Sequence, residues 1–173
     1  MEQSIVSSDS HVIEVPDLWE KGMSAAFRER APKAFFDEKR DAWMFGSAEV
    51  QIQAVGGLFM AGQQPENLEK FRKAGFAVAR PGGWDPFERQ ADMVTDGVAA
   101  EVLYPSLGLG LYCVEDAALQ EELFRAYNDW IIDYCQKVPD RLYSIALISM
   151  YNVDHAIAEM ERCAKQGIVG TMI

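Results

Sequence analysis

The second half of the sequence alternates between segments with strand-like and helix-like apolar patterns. Val98–Tyr104 and residues 142–148 are short apolar runs typical of buried strands, and residues 168–173 begin another. Between these runs lie longer segments in which apolar residues recur every three or four positions, the spacing of one helix face. Strands that alternate with helices through short connections form parallel βαβ units, so the order of elements predicts an α/β fold.

Capping signals mark the helices of this alternation. Asp85-Pro86-Phe87-Glu88 forms a capping box, and Gly97 is a natural residue to follow the end of that helix. Asp116 precedes the next helix, and Asn152 or Asp154 precedes the last one. The apolar spacing predicts two buried helix faces, made by Leu119, Leu123, Tyr127, Trp130, Ile131, Tyr134 and Val138 and by Val153, Ile157, Met160 and Ala164.

A short strand and a long irregular region precede the alternation. Ile5 and Val6 open the strand, which runs into a polar exit. Residues 16–42 are expected to be helical and loop-like, and residues 42–57 to form a small β-hairpin. The stretch from Gly56 to Gly83 holds six of the 13 glycines, which is typical of an irregular excursion over a site. We therefore predict an insertion over about residues 16–84, between the first strand and the next.

Two architectures fit four such strands. One is an open, doubly wound sheet, and the other is the first half of a (β/α)₈ barrel, with about four βα units and the insertion after strand 1. We favour the half-barrel because the sequence stops at Met172-Ile173, within an apolar strand whose edge would be open. The expectation is a single domain over residues 1–173 that is C-terminally incomplete.

The charge and the absence of leader-like segments restrict the partners. The 16 basic and 27 acidic residues give a net charge of −11, which argues against nucleic acid as a partner. The start of the sequence lacks the basic and apolar regions of a signal peptide, and no apolar run is long enough to span a bilayer. Three cysteines without a C-x-x-C pair suit a reducing compartment. We expect a cytoplasmic homo-oligomer that acts on a small-molecule substrate and does not bind membranes.

Asp9 and His11 are the candidate metal ligands. Side chains two residues apart on a strand point the same way, so both would project at the C-terminal end of the first strand, where α/β folds carry their sites. A carboxylate oxygen and an imidazole nitrogen that converge suit a divalent ion such as zinc, although the pair could also hydrogen-bond within a turn. His155 is expected on a solvent-facing helix surface, so the chain offers two of about three protein ligands that a catalytic zinc site needs.

Four further residues are candidates for a substrate pocket. Glu14 follows His11 by three positions, and Tyr104, Pro105 and Ser106 lie at the end of the predicted strand that begins at Val98, beside Asp9 and His11 in the barrel arrangement. The alternatives are a solvated loop glutamate and a turn that merely ends the strand. The sequence contains no G-x-G-x-x-G, Walker loop, G-x-S-x-G or H-E-x-x-H motif, so nucleotide binding and serine hydrolase chemistry lack support.

Five motifs in this order resemble the amidohydrolase-2 branch of the metal-dependent hydrolases, whose members include aminocarboxymuconate-semialdehyde decarboxylase and γ-resorcylate decarboxylase. They are S-x-D-S-H-V-I-E-x-P-D-L-W (residues 7–19), W-D-P-x-x-R-x-x-D-M (84–93), D-G-V-x-A-E-V-L-Y-P-S (96–106), A-Y-N-D-W (126–130) and P-D-R-L (139–142). The resemblance implies a distorted (β/α)₈ barrel with one divalent metal at its C-terminal face. Asp9 and His11 match the first metal pair of that family, while the remaining ligands and the acid–base aspartate are expected beyond Ile173.

The resemblance implies an enzyme and leaves its reaction open. We expect a hydrolase of a small substrate with a carbonyl or carboxylate group, with zinc as the first choice of metal and manganese as the second. Non-oxidative decarboxylation of an aromatic or unsaturated carboxylic acid is the alternative, because both reactions share this scaffold. A third hypothesis, from a different class of function, is a catalytically inactive half-barrel that serves as a binding or assembly module.

Overall fold

The computed structural model describes residues 4–64, 66 and 73–173, so residues 65 and 67–72 of the predicted glycine-rich excursion lie outside the described residues. The strands are β1 (Ile5–His11), β2 (Lys33–Asp37), β3 (Ala42–Gly46), β4 (Gln53–Ala54), β5 (Val98–Tyr104), β6 (Leu142–Leu147) and β7 (Gly170–Met172). The α-helices are α1 (Leu18–Gly22), α2 (Gly56–Phe59), α3 (Pro86–Asp96), α4 (Ala117–Gln136) and α5 (Val153–Ala164), and a long 3₁₀ helix spans Leu107–Cys113. None of the helices in these parts of the chain combines the length and hydrophobicity needed to cross a membrane.

The main sheet has four parallel strands in the order β1-β5-β6-β7. The strands therefore follow the chain in one direction, with α4 between β5 and β6 and α5 between β6 and β7. A doubly wound sheet reverses its strand order at a switch point, whereas a (β/α)₈ barrel does not. The order agrees with the predicted half-barrel, and the described residues contain no reversal of the kind that a doubly wound sheet has at its switch point.

The predicted caps begin the helices of this sheet. The side chain of Asp85 accepts hydrogen bonds from the amides of Phe87 and Glu88, and Gly97 follows α3 in the left-handed conformation with φ 70°. Asp116 caps α4 in the same way. Asn152, and not Asp154, caps α5, because its side chain accepts from the amides of the two residues at the second and third helical positions.

Helix α4 supplies much of the core. Its predicted apolar face packs against β6 and α1, and Leu119, Leu123, Tyr127 and Ile131 are fully buried. The indole of Trp19, on α1, donates a hydrogen bond of 3.2 Å to the carbonyl of Leu123. The insertion thus enters the same core, and the ring of Trp19 also packs at a tilt against that of Phe45 on β3, with 5.0 Å between the ring centroids.

The predicted buried face of α5 is wrong. Val153, Ile157 and Met160 are 58%, 51% and 40% exposed, and Ala164 is exposed as well. The helix is buried instead through two small residues, Ala156 and Cys163, which join a second apolar cluster with Ile132, Ala146 and Ile148. The physical reason is that nothing in the described residues packs over the larger apolar side chains.

The insertion contains a three-stranded antiparallel sheet in the order β2-β3-β4. The predicted hairpin within residues 42–57 is present as β3 and β4, in which Met44 pairs with Ala54. The expectation of helix and loop up to residue 42 is wrong for residues 33–37, which form β2 and pair with β3. The side chain of Asp37 accepts hydrogen bonds from the amides of Lys39 and Arg40 and so stabilises the tight turn between the two strands. Asp41 completes that turn with a positive φ of 48°.

Candidate metal centre at the end of β1

Asp9 and His11 lie together at the C-terminal end of β1. Their side chains are 76% and 47% exposed, and the Oδ1 atom of Asp9 is 3.7 Å from the Nε2 atom of His11. Two ligand atoms that each lie about 2.1 Å from one tetrahedral zinc ion are roughly 3.4 Å apart. A small rotation of either exposed side chain would therefore let both atoms bind the same ion, so the pair fits a divalent metal.

A local bulge in β1 helps to place this pair. Ser7 pairs with Glu101 and Ser10 pairs with Leu103, so β1 advances three residues where β5 advances two. Bulges of this kind redirect side chains beside functional sites. Asp9 lies inside the bulge, and its side chain still points to the same side as that of His11.

The ring of His11 is held by the neighbouring strand. Its Nδ1 atom is 2.7 Å from the main-chain carbonyl of Pro105, directly after β5. A carbonyl oxygen can only accept a hydrogen bond, so the proton of the neutral ring resides on Nδ1. The lone pair of Nε2 is then free and faces Asp9, which is the arrangement of a histidine prepared to bind a metal.

The main chain of His11 is held as well, by Arg89 of a buried ion pair that is not among the predicted site residues. Arg89, on α3, donates to the carbonyl of His11 at 3.0 Å and to the carbonyl of Gly82 at 3.3 Å. Its guanidinium also pairs with Glu101 on β5, and both side chains are almost buried. Buried charges need partners, so this pair fixes the position of β1 relative to β5 and α3.

A signal for this pair is visible in the sequence. Pro86, Arg89 and Met93 recur at helical spacing and form the buried face of α3, so Arg89 is a charge on an otherwise apolar face. Glu101 is the only charge within the apolar run of β5. Two lone charges of opposite sign on buried elements indicate an internal ion pair.

The structure places the four predicted pocket residues in two different environments. Tyr104 pairs with His11 in the sheet register, is partly buried, and its ring lies 6.0 Å from the imidazole. Pro105 is buried and contributes its carbonyl to His11, and Ser106 is partly buried beside it. Tyr104 therefore borders the candidate metal centre directly.

Glu14 is only 1% exposed, so the alternative of a solvated loop glutamate is wrong. Its carboxylate accepts hydrogen bonds from the amides of Ser106, Leu107 and Gly108 at 3.0, 2.9 and 2.9 Å. Burial raises the pKa of Glu14, although the three amide donors favour the charged form and oppose that rise. The carboxylate is turned toward the loop after β5 and away from solvent.

His155 does not join the centre. Its side chain is 62% exposed, as predicted, and lies 3.1 Å from Glu121 on α4. Among the residues that the structure describes, no group of three histidine, cysteine, aspartate or glutamate side chains is arranged to hold a metal ion. Asp9 and His11 therefore form a two-ligand part of a site.

Solved structures share this architecture. An amidohydrolase from Mycobacterium avium subsp. paratuberculosis superposes on 97% of this chain with a TM-score of 0.68 and 18% sequence identity. The chain has the fold of part of a (β/α)₈ barrel, as in this neighbour. The resemblance predicted from the motifs is confirmed at the level of the fold.

Two decarboxylases show the same likeness. A 2,6-dihydroxybenzoate decarboxylase in complex with 2,6-dihydroxybenzoate matches 99% of this chain with a TM-score of 0.57 and 18% identity. A 5-carboxyvanillate decarboxylase from Novosphingobium aromaticivorans, with bound manganese and 3-methoxy-4-hydroxy-5-nitrobenzoic acid, matches 99% with a TM-score of 0.57 and 18% identity.

The chain spans less than half the length of these proteins: 48% of the amidohydrolase, 39% of the first decarboxylase and 42% of the second. No protein-family model matches the sequence, and no curated protein matches it either. The structural likeness therefore concerns the fold, and the chemistry of this chain rests on its own residues.

Proposed function

We propose that this chain belongs to a metal-dependent enzyme of the amidohydrolase type, in which Asp9 and His11 bind one divalent metal ion. The observation that carries the proposal is the placement of His11 at the C-terminal end of a barrel strand, with Nδ1 against the carbonyl of Pro105 and Nε2 at 3.7 Å from the Asp9 carboxylate. Active sites of (β/α)₈ barrels lie at that end. The expected substrate is a small molecule with a carbonyl or carboxylate group.

The donor set suits zinc or manganese. Imidazole is a common ligand of zinc, whereas carboxylate oxygens also suit harder ions such as manganese, the ion bound in the 5-carboxyvanillate decarboxylase structure. When bound, such an ion polarises a carbonyl or carboxylate or lowers the pKa of a water molecule. We expect the further ligands and the acid–base aspartate in the part of the relatives' length that this chain does not span.

The residues of this chain would orient the ligands and border the substrate. Pro105 holds the ring of His11, and Arg89 holds its main chain, so little side-chain freedom is lost when His11 binds the metal. Tyr104 presents an aromatic ring beside His11 and would form one wall of the substrate pocket.

That ring favours a second candidate reaction, the non-oxidative decarboxylation of an aromatic acid. An aromatic substrate that binds the metal centre through its carboxylate would lie within reach of the Tyr104 ring, and aromatic pairs contribute about 0.5–1.5 kcal/mol beyond their buried area. Both decarboxylase structures contain an aromatic acid. Release of CO₂ from a panel of hydroxybenzoates, compared with hydrolysis of amides and lactones, separates the two reactions.

The test of the metal site is a titration of the full chain with Mn²⁺ and with Zn²⁺, followed by calorimetry and by measurement of bound metal. Asp9→Asn and His11→Gln should each weaken binding roughly 10-fold or more, because each removes a direct ligand. The matched controls are Asp133→Asn, which changes an aspartate of similar exposure, and His155→Gln, which changes the other of the two histidines. Binding that is equal in all five proteins would overturn the proposal.

A further inference from the structure

Glu14 and His11 are connected through a single peptide group. The peptide between Pro105 and Ser106 presents its carbonyl to Nδ1 of His11 at 2.7 Å and its amide N–H to the carboxylate of Glu14 at 3.0 Å. The structure has no cis peptide bonds in its described residues, so the two ends of this planar group point in opposite directions. The position of one hydrogen bond therefore fixes the direction of the other.

The carboxylate of Glu14 replaces a cap that the loop does not supply itself. Ser106 occupies the N-cap position of the 3₁₀ helix Leu107–Cys113, but its side chain makes no capping hydrogen bond. The first amides of any helix lack partners within the helix and need acceptors from elsewhere. Glu14 supplies them from a position 92 residues earlier in the sequence, which ties the end of β1 to the end of β5.

A carboxylate is well suited to this task. The amide donors favour its charged form, and hydrogen bonds to a charged acceptor are shorter and stronger than those between neutral groups. Hydrogen bonds in a chain polarise one another, so the carboxylate strengthens the acceptor at the far end of the Pro105–Ser106 peptide. That acceptor is the carbonyl that holds the proton of His11 on Nδ1.

We propose that Glu14 is a positioning residue that acts through the Pro105–Ser106 peptide to hold His11 as the Nδ1–H tautomer, with Nε2 free for a metal. The proposal deepens the proposed function, on which it rests for the role of Nε2. It assigns to Glu14 the part that a carboxylate plays when it contacts a metal-binding histidine directly. Here one peptide group lies between the two.

The first test reads the tautomer of His11 without any metal. The chain has two histidines, so ring ¹⁵N–¹H correlation spectra of the full chain contain two sets of signals, and His155→Gln identifies those of His11. In the neutral ring of the wild type, at about pH 8, we expect the proton on Nδ1. A wild-type ring protonated on Nε2 would overturn the proposal before any Glu14 variant is made.

The second test removes the carboxylate. Glu14→Gln keeps the size of the side chain and one acceptor, and Glu14→Ala removes both acceptors, so the preference for Nδ1–H should fall in the first and fall further in the second. The control is Glu159→Gln, which removes another largely buried glutamate that has no contact with the loop after β5 among its described hydrogen bonds. A purely structural role for Glu14 would lower the melting temperature and leave the tautomer as in wild type, and that result would contradict the proposal.

Gly108→Ala changes the same loop and leaves Glu14 unaltered. It replaces the Glu14 variants in this test if those variants do not fold. A β-carbon at Gly108 would lie 2.9 Å from the Pro105 side chain, 3.0 Å from that of Leu147 and 3.4 Å from the Glu14 carboxylate, so the loop must shift relative to Pro105 and Glu14. We expect a partial loss of the Nδ1–H preference. An unchanged tautomer in this folded variant would count against the connection.

Metal titration separates failure of this proposal from failure of the proposed function. Glu14→Gln should weaken Mn²⁺ binding roughly 10-fold to 100-fold, the range for groups that orient a metal-binding histidine. If His11→Gln leaves Mn²⁺ binding unchanged, the proposed function fails, while the tautomer still reports on Glu14. If His11→Gln abolishes binding and Glu14→Gln changes neither binding nor tautomer, only the role of Glu14 is refuted.

Discussion

Helices α4 and α5 have the same kind of sequence and opposite surroundings. Both begin at a side-chain cap, both connect parallel strands, and both carry apolar residues at helical spacing. The apolar face of α4 forms the centre of the core, whereas the large apolar residues of α5 face outward. The difference shows that an apolar stripe predicts an amphipathic helix but does not identify what covers it.

Polar contacts, instead of a broad apolar face, connect α5 to α4. Glu159 is bound by two hydrogen bonds of 2.7 Å from Arg162 and by one of 2.9 Å from Asn128 on α4. Arg162 also pairs with Asp129 on α4 at 2.6 Å. A helix held by ion pairs and by a small apolar contact contributes less to stability than one held by a broad face of buried leucine and isoleucine, because partly exposed ion pairs contribute little.

The largest expected effect is in α4. Leu123→Ala removes a fully buried leucine side chain next to the hydrogen bond from Trp19, and should lower the free energy of unfolding by about 3 kcal/mol. Urea unfolding of the full chain measures it. The control is Leu109→Ala, at a leucine that is 43% exposed, for which we expect about 1 kcal/mol or less. Equal losses in both variants would mean that α4 does not form the core as described.

The next effect lies where the two helices meet. The side chain of Asn128 is fully buried, accepts from the amide of Leu147, and donates to the carbonyl of Leu147 and to Glu159. Asn128→Ala leaves the polar atoms at the end of β6 without partners, so we expect a loss of about 2 kcal/mol. Asn128→Asp keeps the acceptor for Leu147 but brings a negative charge to Glu159, and should lose at least as much. A stability equal to wild type in both variants would show that water replaces Asn128.

Local signals in the sequence account for the parts of the fold that were predicted correctly. The capping residues Asp85, Asp116 and Asn152 act within three positions of themselves, so their roles are visible in short windows. The convergence of Asp9 and His11 follows from strand periodicity. The order of strands and helices, together with the motifs, then indicated the barrel.

The features that were missed depend on contacts between distant segments. Glu14 meets its partners more than 90 residues along the chain, and Arg89 reaches β1 from α3 over 78 residues. Nothing in the neighbourhood of Glu14 indicates that three amides will surround it. The prediction that the apolar stripe of α5 is buried was wrong for the same reason. Whether the stripe is covered depends on which element lies beside the helix and not on the helix itself.

The contacts of Glu159 predict how the α4–α5 contact responds to acid. Burial alone raises the pKa of Glu159, but hydrogen bonds from Arg162 and Asn128 outweigh it and lower the pKa below its usual value of 4.5. A carboxylate with a lowered pKa stabilises the fold above pH 4.5, and this stability is lost as the pH falls through the folded pKa. Glu159→Gln should therefore lose less stability between about pH 6 and pH 3 than wild type does.

The control for this acid titration is Glu161→Gln, on the same helix but with a side chain that is 66% exposed. Its loss of stability on acidification should match that of wild type. Of the unfolding free energy that the wild type loses on acidification, we expect Glu159 to account for at most about 1 kcal/mol, as for other partly exposed ion pairs. If Glu159→Gln and Glu161→Gln have the same pH profile, the ion pairs do not hold α5 on α4.

The smallest expected effect is on the exposed stripe of α5, where the same substitution in the two helices tests the comparison most directly. Ile157→Gln, at a side chain that is 51% exposed, should change the free energy of unfolding by about 0.5 kcal/mol or less. Ile131→Gln places the same amide in the core on α4 and should cost several times more, because a buried amide without partners is unfavourable by about 1–3 kcal/mol in addition to the lost packing. Light scattering of both proteins over a range of concentrations completes the measurement. If Ile157→Gln costs as much as Ile131→Gln, and the cost grows with protein concentration, the stripe is covered in solution by a second molecule. The two helices would then differ in the partner that covers them and not in whether they are covered.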